Sequence, residues 1–374
     1  MKDVFREILK AKSRGERAAL STIISSKGSL PMSSRTKMLV LQDGTIVGTV
    51  GGGCMEADVW AEAKEVMKRD LSRVSRFILT EKHAGESGLN CGGTVEIFTE
   101  PIVPGRMDEV FEEIVRLREE NQSVSLATII SNTAYDLVKE HSKMLVRKDG
   151  SVVGTLGGGR IEEEVRTEAH KILGQDLLKI MDFTLNEEEA KNLKAVPGTL
   201  LKVFIESLLA QPVLYLFGGG HVSLQIAKVA KLAGFKLVVI EDRPAFGNKE
   251  RFPEADEIII DDFSTVAKKL EFNESSYIVA VTRGHQHDEK IIEQVVWKPA
   301  KFIGMIGSKR KIRIMWDKLH AKGIPMELLE QVHAPLGIDI GADNPEEIAI
   351  SIVAELIQVR RGGSRNLRTV QECR

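Results

Sequence analysis

The strongest constraint on this chain is that its first 210 residues are written twice. Gly48-Thr49-Val50-Gly51-Gly52-Gly53-Cys54-Met55-Glu56 returns as Gly154-Thr155-Leu156-Gly157-Gly158-Gly159-Arg160-Ile161-Glu162, at an offset of 106 residues. Upstream the offset holds without a gap. Leu20-Ser21-Thr22-Ile23-Ile24-Ser25 lies over Leu126-Ala127-Thr128-Ile129-Ile130-Ser131, Lys37-Met38-Leu39-Val40 over Lys143-Met144-Leu145-Val146, and Asp43-Gly44 over Asp149-Gly150. Downstream, Phe77 falls over Phe183 and Ile97-Phe98 over Val203-Phe204. A unit of about a hundred residues is an ordinary domain size. The chain therefore reads as two copies of one α/β module, 1–105 and 106–210, each running helix, strands, glycine turn, helix, strands.

In each copy the repeated stretch joins a strand pattern to a helix pattern. Thr36–Leu41 and Ile46–Val50 flank Gln42-Asp43-Gly44-Thr45, and Asp-Gly between β-prone runs predicts a hairpin. Beyond the glycines, Met55, Val59, Ala63, Val66 and Met67 recur at three- and four-residue steps, the apolar stripe of a helix. Glycines lacking Cβ atoms let backbone N–H groups converge, and a helix start adds partial positive charge. Gly51, Gly52 and Gly53 thus predict an anion site, and Cys54 in that field should be more acidic than a free thiol. The alternative is a core thiol, because cysteine is often buried. Comparison of the copies favours function: Arg160 replaces Cys54 and Pro197 replaces Cys91, so neither thiol is needed to build the scaffold. Cys91 is itself flanked by glycines in Ser87-Gly88-Leu89-Asn90-Cys91-Gly92-Gly93-Thr94. With no Cys-x-x-Cys, and His83 the one imidazole nearby, structural zinc is not expected.

Past Gln211-Pro212 the grammar changes to strand, glycine turn, helix, strand. Val213–Phe217 is a continuous apolar run, Gly218-Gly219-Gly220-His221-Val222-Ser223 the turn, Leu224–Leu232 a helix, and Lys236–Ile240 a second strand ending in Glu241-Asp242. This follows the dinucleotide fingerprint: Gly218 for the tight turn, Gly220 for approach of a pyrophosphate, and Glu241 for ribose hydroxyls, with Ser223 departing from the third glycine. Further strands are predicted at Glu257–Ile260, Tyr277–Val281 and Phe302–Ile306, which makes residues 211–360 a Rossmann-like doubly wound parallel sheet, followed by a mobile tail at 361–374. Loops at the carboxyl ends of such strands carry function. Here they are Gly218–Ser223, Thr282–Asp288 and Gly307–Lys311. His285, His287 and Asp288 could bind a metal, act as acid and base, or cap a helix beginning near Asp288. Gly307-Ser308, followed by Lys309, Arg310 and Lys311, suits a phosphate at a helix start.

Formal net charge is −2, so nucleic-acid binding has little electrostatic support. The charged, amphipathic start lacks the apolar core of a signal peptide, and no run approaches the ~18 apolar residues of a membrane span. Three cysteines do not make a disulfide framework. These features predict a cytoplasmic protein.

Taken together, Gly48–Glu56, Cys91-Gly92-Gly93, Phe217–Ser223, Glu241–Phe246, Thr282–Asp288, Gly304–Lys311 and Pro335–Val359 resemble the XdhC/CoxI family, accessory proteins in the maturation of xanthine dehydrogenase and carbon monoxide dehydrogenase. The resemblance implies a chaperone that binds the molybdenum cofactor (molybdopterin), helps replace an oxo ligand by sulfur, and delivers it to a molybdenum hydroxylase apoenzyme, with a cysteine desulfurase as a further partner and a homodimer as the expected state. In that reading Cys54, with Cys91, faces the metal or relays sulfur. Gly218, Gly220, His221, Glu241, Asp242, Arg243, His285, His287, Asp288, Gly307, Ser308 and Lys311 would line the cofactor site. Two other readings stay open: an NAD-dependent oxidoreductase and a nucleotide-sensing regulatory module.

Overall fold

The computed structural model describes residues 3–28, 36–51, 53–79, 93–130, 143–193 and 195–363. Its contacts divide into two units, Met1–Leu209 and Ala210–Arg374.

In the first unit, helix α1 (Val4–Ser13) precedes β1 (Ala18–Gly28), β2 (Lys37–Leu41), β3 (Ile46–Gly48), α2 (Gly53–Arg69), β4 (Arg73–Leu79) and β5 (Gly93–Ile102). The second copy follows as α3 (Asp108–Glu119), β6 (Val124–Ile129), β7 (Lys143–Val146), β8 (Val152–Thr155), α4 (Gly159–Ile172), β9 (Leu178–Thr184), a short α5 (Glu187–Asn192) and β10 (Leu200–Leu208). Both sheets are antiparallel and share one strand order, β3-β2-β1-β5-β4 and β8-β7-β6-β10-β9. The Asp-Gly hairpin forms, with Val40 opposite Ile46 and the Asp43 carboxylate accepting from the Thr45 N–H at 2.8 Å. All five residues of the helical stripe, Met55, Val59, Ala63, Val66 and Met67, are buried. One offset along, Ile161, Val165, Ala169 and Ile172 do the same for α4.

The copies are not two beads on a string. Phe5 and Ile8 of α1 share one core with Phe111 and Ile114 of α3, their own counterparts in the repeat. At the centre, Lys37 of the first copy pairs with Glu206 of the second at 2.7 Å, and Lys143 of the second with Glu100 of the first, also at 2.7 Å. All four side chains are at most 8% exposed. Lys37 and Lys143 are equivalent under the offset, as are Glu100 and Glu206. The contact is therefore reciprocal, as across a two-fold axis.

In the second unit, β11 (Val213–Phe217), α6 (His221–Leu232), β12 (Lys236–Glu241), β13 (Glu257–Ile260), α7 (Val266–Lys269), β14 (Ser276–Ala280), α8 (His285–Val295), β15 (Phe302–Met305), α9 (Lys309–Ala321), α10 (Met326–Leu329) and α11 (Pro345–Arg361) follow in order. The sheet is β13-β12-β11-β14-β15, every pairing parallel. Alternate residues serve opposite faces: Phe217, Ile240, Ile278 and Ala280 meet α8 and α9, while Leu214, Leu216, Val239 and Val279 meet α6 and α11. Burial on both faces is why these strands read as unbroken apolar runs. The chain reverses direction across the sheet between β11 and β14, which opens a crevice at their carboxyl ends.

Two helices begin earlier than their periodicity predicts. α6 starts at His221 and α8 at His285, because Gly220 and Gly284 take extended N-cap conformations. Ser223 therefore sits within the first turn of α6, fully buried. No helix among the described residues is long and apolar enough to cross a membrane.

Removing one member of a reciprocal pair leaves a buried charge unpaired, at a cost of about 3–5 kcal/mol, whereas replacing both by apolar residues is often neutral. Lys143→Met should accordingly lower the unfolding free energy of the first unit by ~3 kcal/mol or more, and adding Glu100→Met should restore most of it. Denaturant titration of the two variants measures this, and equal losses would refute the pairing as the clasp.

Candidate ligand-binding crevice

The glycine turn at the end of β11 is held from both sides. Gly218 has a φ of +109°, and its N–H donates to the Ile240 carbonyl at 2.8 Å. A Cβ there would stand 2.3 Å from the Val281 carbonyl oxygen, so a side chain is excluded by conformation and by space. The Gly219 N–H donates to Glu241 Oε2 at 2.6 Å, and its carbonyl accepts from Arg251 Nη2 at 3.1 Å. Gly220 differs: a Cβ built on it meets nothing within 4 Å. The open side of the turn is here, at the start of α6, where free helical N–H groups favour an anion. His221, the first residue of α6, is exposed beside it.

Glu241, the acid that the fingerprint assigns to a ribose, is engaged here by its own chain. Its other oxygen, Oε1, accepts from Arg243 Nε at 2.7 Å, and the side chain is 2% exposed. Burial alone would raise this carboxyl, but the bonds from Arg243, Asp242 and Gly219 outweigh it and hold Glu241 below the usual range. The carboxylate is committed to fixing the turn. The Arg243 guanidinium lies 3.8 Å from the centroid of Phe246.

Asp242 is the more exposed neighbour, and it accepts from Arg283 Nη2 at 2.8 Å. β12 and β14 flank β11, so this pair ties the two strand ends that border the glycine turn. Desolvation and the adjacent Glu241 push the Asp242 carboxyl above its ordinary value, while Arg283 and His287 pull the other way.

Asp288 is buried and accepts from the Thr282 N–H and hydroxyl at 3.2 and 2.6 Å. It shapes the loop that presents Arg283. His287 is half-buried with its ring 5.4 Å from that of Phe263. His285 opens α8, and its side chain lies outside the described residues. Among the described residues no three His, Cys, Asp or Glu side chains gather as metal ligands. Gly307 and Ser308 lead into α9, which has no acid in its first turn and no side-chain cap from Ser308. Lys311 is exposed there.

In the first unit, Gly51 has a φ of +131° and Gly53 of +68°, and the Gly51 N–H donates to Thr49 Oγ1 at 3.1 Å. Cys54 is the second residue of α2. Its side chain, Gly52 and Cys91 all lie outside the described residues. The second copy repeats this turn, with the Gly157 N–H donating to Thr155 Oγ1 at 3.0 Å and Glu162 standing where Glu56 accepts from the Val50 N–H at 3.3 Å. Glu162 accepts from the Leu156 and Gly158 N–H groups at 2.8 and 2.9 Å, Leu193 fills the space beside Gly157, and Arg160 is held by Glu189 and Glu164, each at 3.0 Å. That turn is closed by its own chain.

Sequence reasoning missed Arg251 and Phe246 as parts of the crevice and gave Arg283 no role. Arg283 carried a signal, since it lies in a loop at the carboxyl end of a strand. Arg251 reaches back to Gly219 across 32 residues and carried none.

The two copies, over residues 11–77 and 117–183, each match the model of the XdhC and CoxI family, and residues 214–356 match that of the XdhC Rossmann domain. The chain is 30% identical over 259 residues to uncharacterized protein YqeB of Escherichia coli, an alignment covering 69% of this chain and 47% of that protein, so the chain spans about half the length of that relative. It is 25% identical to a Bacillus subtilis protein described as a probable xanthine dehydrogenase subunit, over 92% of this chain and 94% of the relative. A crystal structure described as a xanthine dehydrogenase from Bacillus halodurans superposes with a TM-score of 0.72 at 25% identity, covering 98% of each chain.

Because acid protonates the raised Asp242 first, lowering the pH should release Arg283 to an incoming anion. ADP affinity, taken relative to that of Asp242→Asn at the same pH, should then rise in the unaltered protein as the pH falls. Asp242→Asn should bind ADP about tenfold more tightly at pH 7, the worth of one charge-assisted hydrogen bond of ~1.5 kcal/mol, with a flatter pH profile. Calorimetric titration reads both, and an unchanged affinity would remove Arg283 from the binding face.

Proposed function

Since the chain belongs to the XdhC and CoxI family, whose relatives here include a probable xanthine dehydrogenase subunit, we propose that it is an accessory factor of a xanthine dehydrogenase-type hydroxylase. In this reading it binds the molybdenum cofactor, assists its sulfuration and passes it to the hydroxylase apoenzyme in the cytoplasm, with a cysteine desulfurase as sulfur donor and a homodimer as the working form. The observation that carries the proposal is the crevice of the second unit: a glycine turn open at Gly220, bordered by Arg243 and Arg283. An anionic, phosphate-bearing ligand fits that chemistry.

The α6 start at Gly218, Gly220 and His221, and the α9 start at Gly307, Ser308 and Lys311, would hold the cofactor's phosphate or nucleotide end. His285 and His287 would offer hydrogen bonds from α8, and Asp242 would yield Arg283 on binding. Bound there, the cofactor would supply a metal able to take a sulfur ligand. Cys54, aided by Cys91, is assigned to the sulfur relay, because a thiol at a helix start is acidified. Burial of Glu241 favours this over the NAD reading: the carboxylate that a ribose would use is 2% exposed and fixed by Gly219 and Arg243.

The test is reconstitution of xanthine oxidation from hydroxylase apoenzyme. Cys54→Ser should leave the melting temperature nearly unchanged, because Ser is close in size and a hydroxyl suits a helix start, while reconstituted activity falls to background. Wild-type transfer by Cys54→Ser would refute the role of the thiol. Absence of fluorescent oxidised pterin from protein purified out of a molybdate-fed host would refute cofactor binding itself.

A further inference from the structure

The reciprocal ion pairs at the centre of the first unit surround a small cavity of about 10 Å³. Thr22, Lys37 and Glu100 of the first copy and Thr128, Lys143 and Glu206 of the second line it, and four phenylalanines complete its wall. The three polar residues of one copy are equivalent to those of the other under the 106-residue offset. Thr22 is 5% and Thr128 4% exposed, so their hydroxyls must find hydrogen bonds inside the protein.

The hydrogen bonds do not follow that symmetry. Lys143 donates to Glu100 Oε1 at 2.7 Å and to the hydroxyl of its own copy's Thr128 at 3.1 Å. Lys37 instead gives two hydrogens to the two oxygens of Glu206, at 2.8 and 2.7 Å. The Thr22 hydroxyl makes no hydrogen bond among the described residues. An ammonium carries three N–H donors, and a carboxylate accepts through both oxygens. The third N–H of Lys143 is accounted for, since its nitrogen stands 6.0 Å from the centroid of the Phe111 ring, within reach of a cation–π contact. One N–H of Lys37, the second oxygen of Glu100 and the hydroxyl of Thr22 are left over.

These three groups define their ligand. It must accept from an ammonium, donate to a carboxylate and share a hydrogen bond with a hydroxyl, so it carries both donors and acceptors. Two lysines and two glutamates already balance, and an added ion would be a buried charge with nothing to offset it. A space of ~10–15 Å³ is the least that admits one water, and nothing larger enters it.

We propose that the cavity is a binding site for one structural water, held by Lys37 Nζ, Glu100 Oε2 and Thr22 Oγ1. Lys37 and Glu100 belong to different ion pairs, so the water joins the two pairs into one hydrogen-bonded chain running Glu206, Lys37, water, Glu100, Lys143, Thr128. The inference does not depend on the crevice, the thiols or the proposed function.

A crystal structure of the whole protein, detailed enough to place ordered water, tests it directly. A peak is expected ~2.6–3.2 Å from all three atoms. It should persist in Thr128→Val, whose lost hydroxyl served Lys143, and vanish in Thr22→Ile, whose added carbon takes the space. In solution, ¹⁷O relaxation dispersion should count one long-lived water fewer in Thr22→Ile than in the wild type. Denaturant titration of Thr22→Val, which keeps the side chain's shape and removes only the hydroxyl, separates a wet cavity from a dry one. With the water in place, this variant loses a hydrogen bond and its folding equilibrium constant should fall about fivefold. In a dry cavity the same change removes a hydroxyl that has no partner, and stability should hold or rise. The proposal is overturned if the wild type shows no peak, if the peak is lost in Thr128→Val and kept in Thr22→Ile, or if Thr22→Val is at least as stable as the wild type.

Discussion

A carboxylate taken out of water must find its counter-charge, and in the first unit it finds it on the other copy of the repeat. Glu100 is neutralised by Lys143 and Glu206 by Lys37. Each ion loses several kcal/mol of hydration on burial, and the pair repays this only when the geometry is good. A single copy folded alone would leave its lysine and its glutamate without the partners they have here. The pairing also accounts for the packing around it, since α1 and α3 can share a core only if the charges between the two sheets are cancelled. The duplication is thus one folded object with an internal two-fold, and what is strictly repeated is what the two-fold needs.

The second unit rests on a comparable commitment by Glu241. Buried at the end of β12, it fixes Gly219 through one oxygen and Arg243 through the other. Arg251 closes on the Gly219 carbonyl. With the middle of the turn held, Gly220 is left as the side toward open space, and α6 begins there. Asp242, the next residue, is given the opposite task. Pushed toward its protonated form by desolvation and then by Glu241 beside it, it holds Arg283 by a contact that ligand or acid can undo. Adjacent carboxylates thus divide structure from access, because two such neighbours do not ionise independently.

Most of this frame was legible before the structure. The stripe Met55, Val59, Ala63, Val66, Met67 identified a buried helix face, the Asp-Gly turn its hairpin, and the apolar runs at 213–217 and 236–240 the parallel sheet, because local periodicity and turn chemistry act over a few residues. Helix starts were misplaced by three residues at α6 and α8, since an N-cap glycine extends a helix upstream of its apolar pattern. The ion pairs were half legible: a lysine and a glutamate kept on equivalent strands of both copies mark a charge the scaffold requires, but not that each would cross to the other copy. Glu241 stands at its strand end as read, and its partners within the chain, Gly219 and Arg243, were not legible. The fingerprint says where an acid stands and cannot see Arg243 turning back on it.

The two glycine turns of the repeat carry the last step. A helix start favours negative charge and penalises positive charge. In the second copy the position after the third glycine is Arg160, a cation set against that field, and two carboxylates, Glu164 and Glu189, compensate it while Leu193 fills the turn. In the first copy the same backbone position holds Cys54, whose thiolate is the charge state the field prefers. One backbone therefore supports opposite electrostatics. Where Arg160 needs its own chain to neutralise it, the turn has become a strut. Where a thiol stands, a helix start would favour its charged and reactive form, which is the reason the proposal seeks sulfur chemistry in the first copy and not in the second.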